Sequence, residues 1–189
     1  TLFRLCFMTR DDLRAKQNPL KATYRDAPDE ALVTLHAEGT LGDTLTCHVA
    51  DPSTGGTTVA GLHPATGGSG DHACSGDMLL EALVACAGVT LQAVATSMKI
   101  DVRSGTLRAE ATWDARGTLA VSRDAPIGLT DIRLHADLDT DADDEALDTL
   151  LKMTERYCVV LQTLQESPEA SATWKRVGAA EEAAADSTA

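Results

Sequence analysis

Five cysteines, Cys6, Cys47, Cys74, Cys86 and Cys158, carry the chemistry this chain can offer. Their number is odd, their spacing irregular, and there is no Cys-x-x-Cys, which argues against a disulfide framework and against a zinc ribbon. Each thiol is then either a small apolar packing residue or a nucleophile. Cys6 lies at the N-terminal edge and Cys47 on the apolar side of an alternating stretch, so both are expected to be inert. Cys74 sits in a glycine-rich loop and is a reserve candidate. Cys86 and Cys158 stand apart because each falls on an apolar helical stretch, and two packed helices can bring thiols together. Such a pair can run peroxide chemistry. One thiolate attacks a peroxide oxygen and becomes a sulfenic acid, and the second thiol resolves it as a disulfide.

Other chemistries lack their anchors. The glycine-rich stretch 61–77 has no Gly-Lys-Ser/Thr, and the chain has no Gly-x-Ser-x-Gly, so neither a phosphate-cradling loop nor a serine nucleophile elbow is expected. Asp139, Asp141 and Asp143 imitate the start of a calcium loop. Asp144 stands where its glycine should be and Leu150 where its glutamate should be, so helix capping accounts for these acids better. His36, His48 and His135 fall on polar strand faces, whereas His63 and His72 lie in the loop before the first apolar helix. No second ligand stands at a metal-binding interval from either, and neither metal nor cofactor is expected.

The elements that must position the two thiols follow from periodicity. The acid-led segment 9–25 predicts a surface helix, interrupted or restarted near Pro19. Alternation over 31–38 and 44–49 predicts two strands joined by a turn at 39–43, with a further strand at 57–61. From Ala82 to Ala95 there is no charge and Gln92 is the one large polar side chain. This predicts a buried helix over about 76–98, apolar all round. One chain has too little material to surround it, so two such helices are expected to pair in a homodimer. Strands are predicted at 105–113, 117–122 and 131–138. A second helix is predicted over 143–166, with Leu147, Leu151, Thr154, Cys158 and Leu161 on one stripe and Pro168 closing it. A last strand is predicted at 171–177.

The chain has 189 residues, 43% hydrophobic and 24% charged, with aromatics at 3%. That suits one globular domain filled by Ala, Leu, Val and Thr. The formal net charge of −13 repels phosphate backbones, so no nucleic-acid partner is expected. No apolar run is expected to span a bilayer, and no secretion signal is recognised at the start. The expected location is the cytoplasm, without membrane association. Met8-Thr-Arg-Asp-Asp resembles a natural start, with residues 1–7 an upstream extension. The expected division is 1–29 as an N-terminal extension and surface helix, 30–177 as the domain, and 178–189 as a disordered acidic tail.

Two segments resemble the OsmC/Ohr family: Cys74-Ser-Gly-Asp-Met-Leu-Leu-Glu-Ala-Leu-Val-Ala-Cys86-Ala-Gly-Val-Thr, and Glu155-Arg156-Tyr157-Cys158-Val-Val-Leu-Gln-Thr-Leu. The resemblance implies an α+β fold, with an intertwined homodimer whose two antiparallel sheets wrap buried central helices. It also implies thiol-dependent reduction of organic hydroperoxides, with Cys86 attacking, Cys158 resolving, and an external dithiol as reductant. The family's carboxylate before the buried helix has its nearest match in Asp77, the third expected catalytic residue. Two positions depart from the pattern. Val159 stands where the characterised peroxidases usually carry proline, and the turn Gly39-Thr-Leu-Gly-Asp43 lacks their arginine. Arg14, Arg25 and Arg156 are the candidates for supplying that charge. The alternative function is a non-catalytic member that binds a small apolar ligand, with both cysteines structural.

Overall fold

A computed structural model describes residues 8–51 and 54–176. Cys6, Val177 and the tail from Gly178 lie outside the described residues. The first element is α1 (Arg10–Asp26), opened by a reciprocal cap. The Asp12 amide donates to the Thr9 hydroxyl at 3.1 Å and the Thr9 amide donates to the Asp12 carboxylate at 3.1 Å. Pro19 does not interrupt it. A proline removes only its own hydrogen bond to the preceding turn, and the rest of the helix runs through.

The N-terminal sheet has the order β1-β2-β3-β4, from β1 (Gly39–Leu41), β2 (Cys47–Ala50), β3 (Thr57–Gly61) and β4 (Ala73–Cys74). The first two pair antiparallel, with Leu41 opposite Cys47, and β4 joins β3 in parallel. The hairpin is therefore shifted from its expected position. Its first strand occupies the expected turn, and the Gly42 amide closes the new turn on the Thr46 carbonyl at 2.9 Å. Residues 32–38 form no strand, and Leu32, Val33 and Leu35 are 79%, 73% and 84% exposed. Alternation marks a chain that can lie half-buried on a sheet, but among the described residues nothing supplies the surface.

The rest is built on α2 (Ser75–Met98), whose buried residues Leu83, Ala87, Leu91 and Ala95 repeat every fourth position on one face. That face packs on β5 (Val102–Thr112), on α4 (Asp144–Tyr157) and on α5 (Val159–Gln165). Long-range pairing of β5 with β6 (Thr130–Thr140) is antiparallel, with Leu107 opposite Ala136 and Ala109 opposite Leu134. The expected partner strand at 117–122 is absent. Asp114 caps a single helical turn there, α3 (Ala115–Thr118). No strand forms over 171–176 either.

Two buried clusters result. Leu83, Ala87 and Cys158 meet beneath β5 and β6, and Leu91, Ala95 and Leu150 meet farther along α2. On α4 the buried stripe runs through Leu150, Thr154 and Cys158, with Leu147 and Leu161 packed against the core; of the expected stripe only Leu151 is exposed. By length and composition alone α2 could cross a membrane, with a mean hydropathy of 1.8. This is more apolar than the sequence reading expected. Here its buried stripe serves as the spine of the core.

Candidate active site

The second helix is not continuous, and the break falls on Cys158. That residue ends α4 and begins α5 in an extended conformation, φ −75 and ψ 103. The Thr154 hydroxyl bonds back to the Leu150 carbonyl at 2.8 Å, which loosens the last turn of α4. Val159 and Val160 follow, two β-branched residues that favour helix weakly. The Gln162 side chain donates to the Glu155 carbonyl at 3.0 Å, serving a backbone group left free by the break. A proline after Cys158 would impose the same extended backbone. Here the chain reaches it with Val159.

The break turns the new amides of α5 toward α2. Cys86, on α2, is half-buried, and Cys158 is fully buried. Cys86 packs against the buried cluster that holds Cys158, and each thiol shifts the titration of the other. Burial pushes the Cys86 thiol up. The Val160 amide, the Cys158 thiol, the Val159 amide and the Thr90 hydroxyl outweigh burial, so Cys86 titrates below the ordinary cysteine range. Cys158 moves the other way. Burial raises it, and the neighbouring Cys86 adds to the rise against the Leu161 and Val160 amides. One thiol is thus held ready to ionise and the other held protonated, which suits unequal roles.

No cation figures among the groups that lower Cys86. Arg14 and Arg25 lie on α1, and Arg156 stacks over the Tyr157 ring at 5.7 Å. Asp77 stands in the first turn of α2. It is nine residues before Cys86, about 14 Å along the axis, so the chain does not bring it to the thiol pair. Cys74 caps the start of α2, one residue before its first turn, and Cys47 is half-buried on β2. Periodicity put Thr154 on the apolar stripe, but the roles of Thr90 and Gln162 were not expected from the sequence. Only the Thr90 position, one turn beyond Cys86, carried a signal for its role.

An apolar cavity of about 500 Å³ opens beside Thr90, between α1, α2 and α4, with Val94, Met98, Met153 and Tyr157 in its walls and Lys21 at its rim. Because Thr90 lines this cavity and its hydroxyl is among the groups that lower Cys86, the cavity reaches the edge of the thiol site.

Several solved structures share the fold. An OsmC-like protein from Mycoplasma pneumoniae superposes with a TM-score of 0.61 at 15% identity, over 71% of this chain and 89% of that one. An organic hydroperoxide resistance protein from Elizabethkingia anophelis gives 0.59 at 20% identity, over 72% and 91%. A structure from Legionella pneumophila described as an organic hydroperoxide resistance protein OsmC gives 0.58 at 17% identity, over 71% and 90%. No curated protein matches the chain in sequence. The sequence profile of OsmC-like proteins matches residues 68–172. That span is more than half the chain and contains α2, the α4–α5 break and both site thiols, so this protein belongs to the OsmC-like family.

Proposed function

We propose that the protein is a thiol-dependent peroxidase that reduces organic hydroperoxides, with Cys86 as the attacking thiol and Cys158 as the resolving one. The observation that carries this reading is the packing of Cys86 against the cluster that holds Cys158 at the α4–α5 break, with Cys86 lowered and Cys158 raised. The Cys86 thiolate attacks the terminal peroxide oxygen. The O–O bond breaks, the alkoxide leaves and takes a proton to become the alcohol, and Cys86 becomes a sulfenic acid. Cys158 then attacks the Cys86 sulfur, a disulfide forms, and the sulfenic oxygen leaves as water. An external dithiol reduces the disulfide by exchange. The alkyl body of the substrate is accommodated by the cavity beside Thr90, where each buried CH₂ contributes roughly 0.8 kcal/mol. Asp77 has no part in these steps within one chain.

The working unit of this proposal is a homodimer in the cytoplasm. Support comes from apolar side chains that one chain leaves bare, above all Val89 on α2 at 73% exposure, together with Leu32, Val33 and Leu35. One observation favours the alternative, an apolar-ligand binder with structural cysteines: no arginine is among the groups acting on Cys86. The test is turnover of cumene or tert-butyl hydroperoxide with a dithiol reductant. Consumption by the wild type that exceeds hydrogen peroxide consumption supports the peroxidase. No consumption, with a Cys86 pKa at or above ~8.5, leaves the binder.

A further inference from the structure

A second cavity, of about 610 Å³, lies at the other end of α2, away from the thiol pair. Its walls include Leu62, His63, Cys74, Asp77, Trp113 and Leu129, and neither Cys86, Cys158 nor Thr90 reaches it. Its size and mostly apolar lining are those of a small-molecule site. The cavity is built of fixed parts. The Trp113 indole donates to the Thr118 hydroxyl at 3.0 Å and meets the His63 ring edge-on, 5.6 Å between centroids. A Cβ on Gly68 would fall 1.7 Å from the Leu62 carbonyl oxygen, so only glycine lets the loop close against this wall.

His63 Nδ1 accepts from the Ala65 amide at 3.0 Å, which fixes the ring against its own loop. The lining contains neither Lys nor Arg. Asp77, exposed at the mouth, is the one acidic side chain in the lining, and among the described residues it has no ion-pair partner. His63, Cys74 and Asp77 do not form a group able to hold a metal ion. An apolar cavity with an aromatic wall and a carboxylate at its mouth fits an amine with an apolar body.

We propose that this cavity binds a small hydrophobic amine, whose ammonium pairs with Asp77 while its apolar body lies against Trp113, Leu62 and Leu129. This site is separate from the peroxide chemistry and stands whether or not that chemistry occurs.

Three matched probes test it: 4-phenylbutylamine, 4-phenyl-1-butanol and 4-phenylbutyrate. Binding is read from Trp113 fluorescence in a Trp174→Phe chain, since Trp174 is exposed and would dilute the signal. The amine is expected to bind about fivefold more tightly than the alcohol, from an ion pair at the rim, and the acid most weakly. Asp77→Asn should erase the preference for the amine and leave the alcohol unchanged. In the wild-type chain, peptide mapping should find alkylation of Cys74 slowed by the amine and not by the acid. Equal binding of amine and acid overturns the proposal. So does an unchanged preference in Asp77→Asn, or a Cys74 alkylation rate indifferent to saturating amine.

Discussion

The two halves of the molecule treat their apolar residues in opposite ways. From Ser75 onward the chain has long elements, and every buried side chain belongs to it: Leu83, Ala87, Leu91, Ala95, Leu150, Thr154 and Cys158. Among the described residues before Ser75 none is buried, although Leu32, Val33, Leu35, Leu41 and Leu45 alternate or nearly alternate with polar neighbours. The same kind of pattern gives a core in one half and a bare surface in the other. What differs is the facing layer. α2 has β5, β6, α4 and α5 to close on it, while among the described residues no layer covers the short strands β1 and β2. A period in the sequence states which face wants burial, and it does not state what will bury it.

The sharpest test of this contrast uses a cysteine from each half. Cys86→Ser is expected to abolish hydroperoxide turnover, because the nucleophile is gone. Cys47→Ser should leave turnover within about twofold, since Cys47 is a half-buried strand residue remote from the pair in sequence and element. In Cys158→Ser a single round of oxidation should leave a sulfenic acid at Cys86, detectable by mass spectrometry after trapping. Loss of turnover in Cys47→Ser alone would break the contrast.

Stability should divide in the same way. Leu83→Ala removes a fully buried side chain and is expected to cost about 2–5 kcal/mol by denaturant unfolding. Leu35→Ala, in the exposed stretch, is expected to change the folding of a chain by no more than about 0.5 kcal/mol. Its effect should appear in assembly instead. Light scattering at micromolar concentration should give a dimeric mass for the wild type, with an interface above ~2,000 Å². Replacing both Leu35 and Val89 by Ser should shift that equilibrium toward the monomer. A monomeric wild type would mean the bare face has another purpose.

The smallest expected effect is on titration. Cys86 is depressed by its hydrogen bonds, so more of it is thiolate at pH 7 than in an unfolded chain. The stability this group contributes is present above the unfolded cysteine value of ~8.5. It is lost as pH falls through the lower folded value of Cys86. Alkylation rates of Cys86 should therefore reach half-maximum below ~8.5, and those of Cys158 above it. In Cys86→Ser the Cys158 midpoint should move down, because the neighbour that raises it is gone. A Cys86 midpoint no lower than that of free cysteine would remove the proposed division of labour.

Much of the positioning was legible in the chain. The uncharged run 82–95 announced α2 within a residue or two, and the alternations at 105–113 and 131–138 announced β5 and β6. Those long patterns persist because tertiary packing follows them. Short segments were less faithful. The stretch 117–122 alternates weakly and folds as a capped turn, because Asp114 can bond the Arg116 amide locally at 3.0 Å. The early hairpin slid because three or four residues of alternation carry little register.

By itself the sequence determined that one apolar helix with Cys86 must lie at the centre and that a second helical region carries Cys158. Both thiols stand out there because residue type and period are local properties. Only the tertiary structure decided that the second helix breaks at Cys158, that Val159, Val160 and Thr90 turn their donors to Cys86, and that Asp77 belongs to another cavity. Those outcomes depend on how groups far apart in sequence come to face one another. A helix break whose cause is spread over Thr154, two valines and a glutamine side chain has no signature in any single stretch of residues.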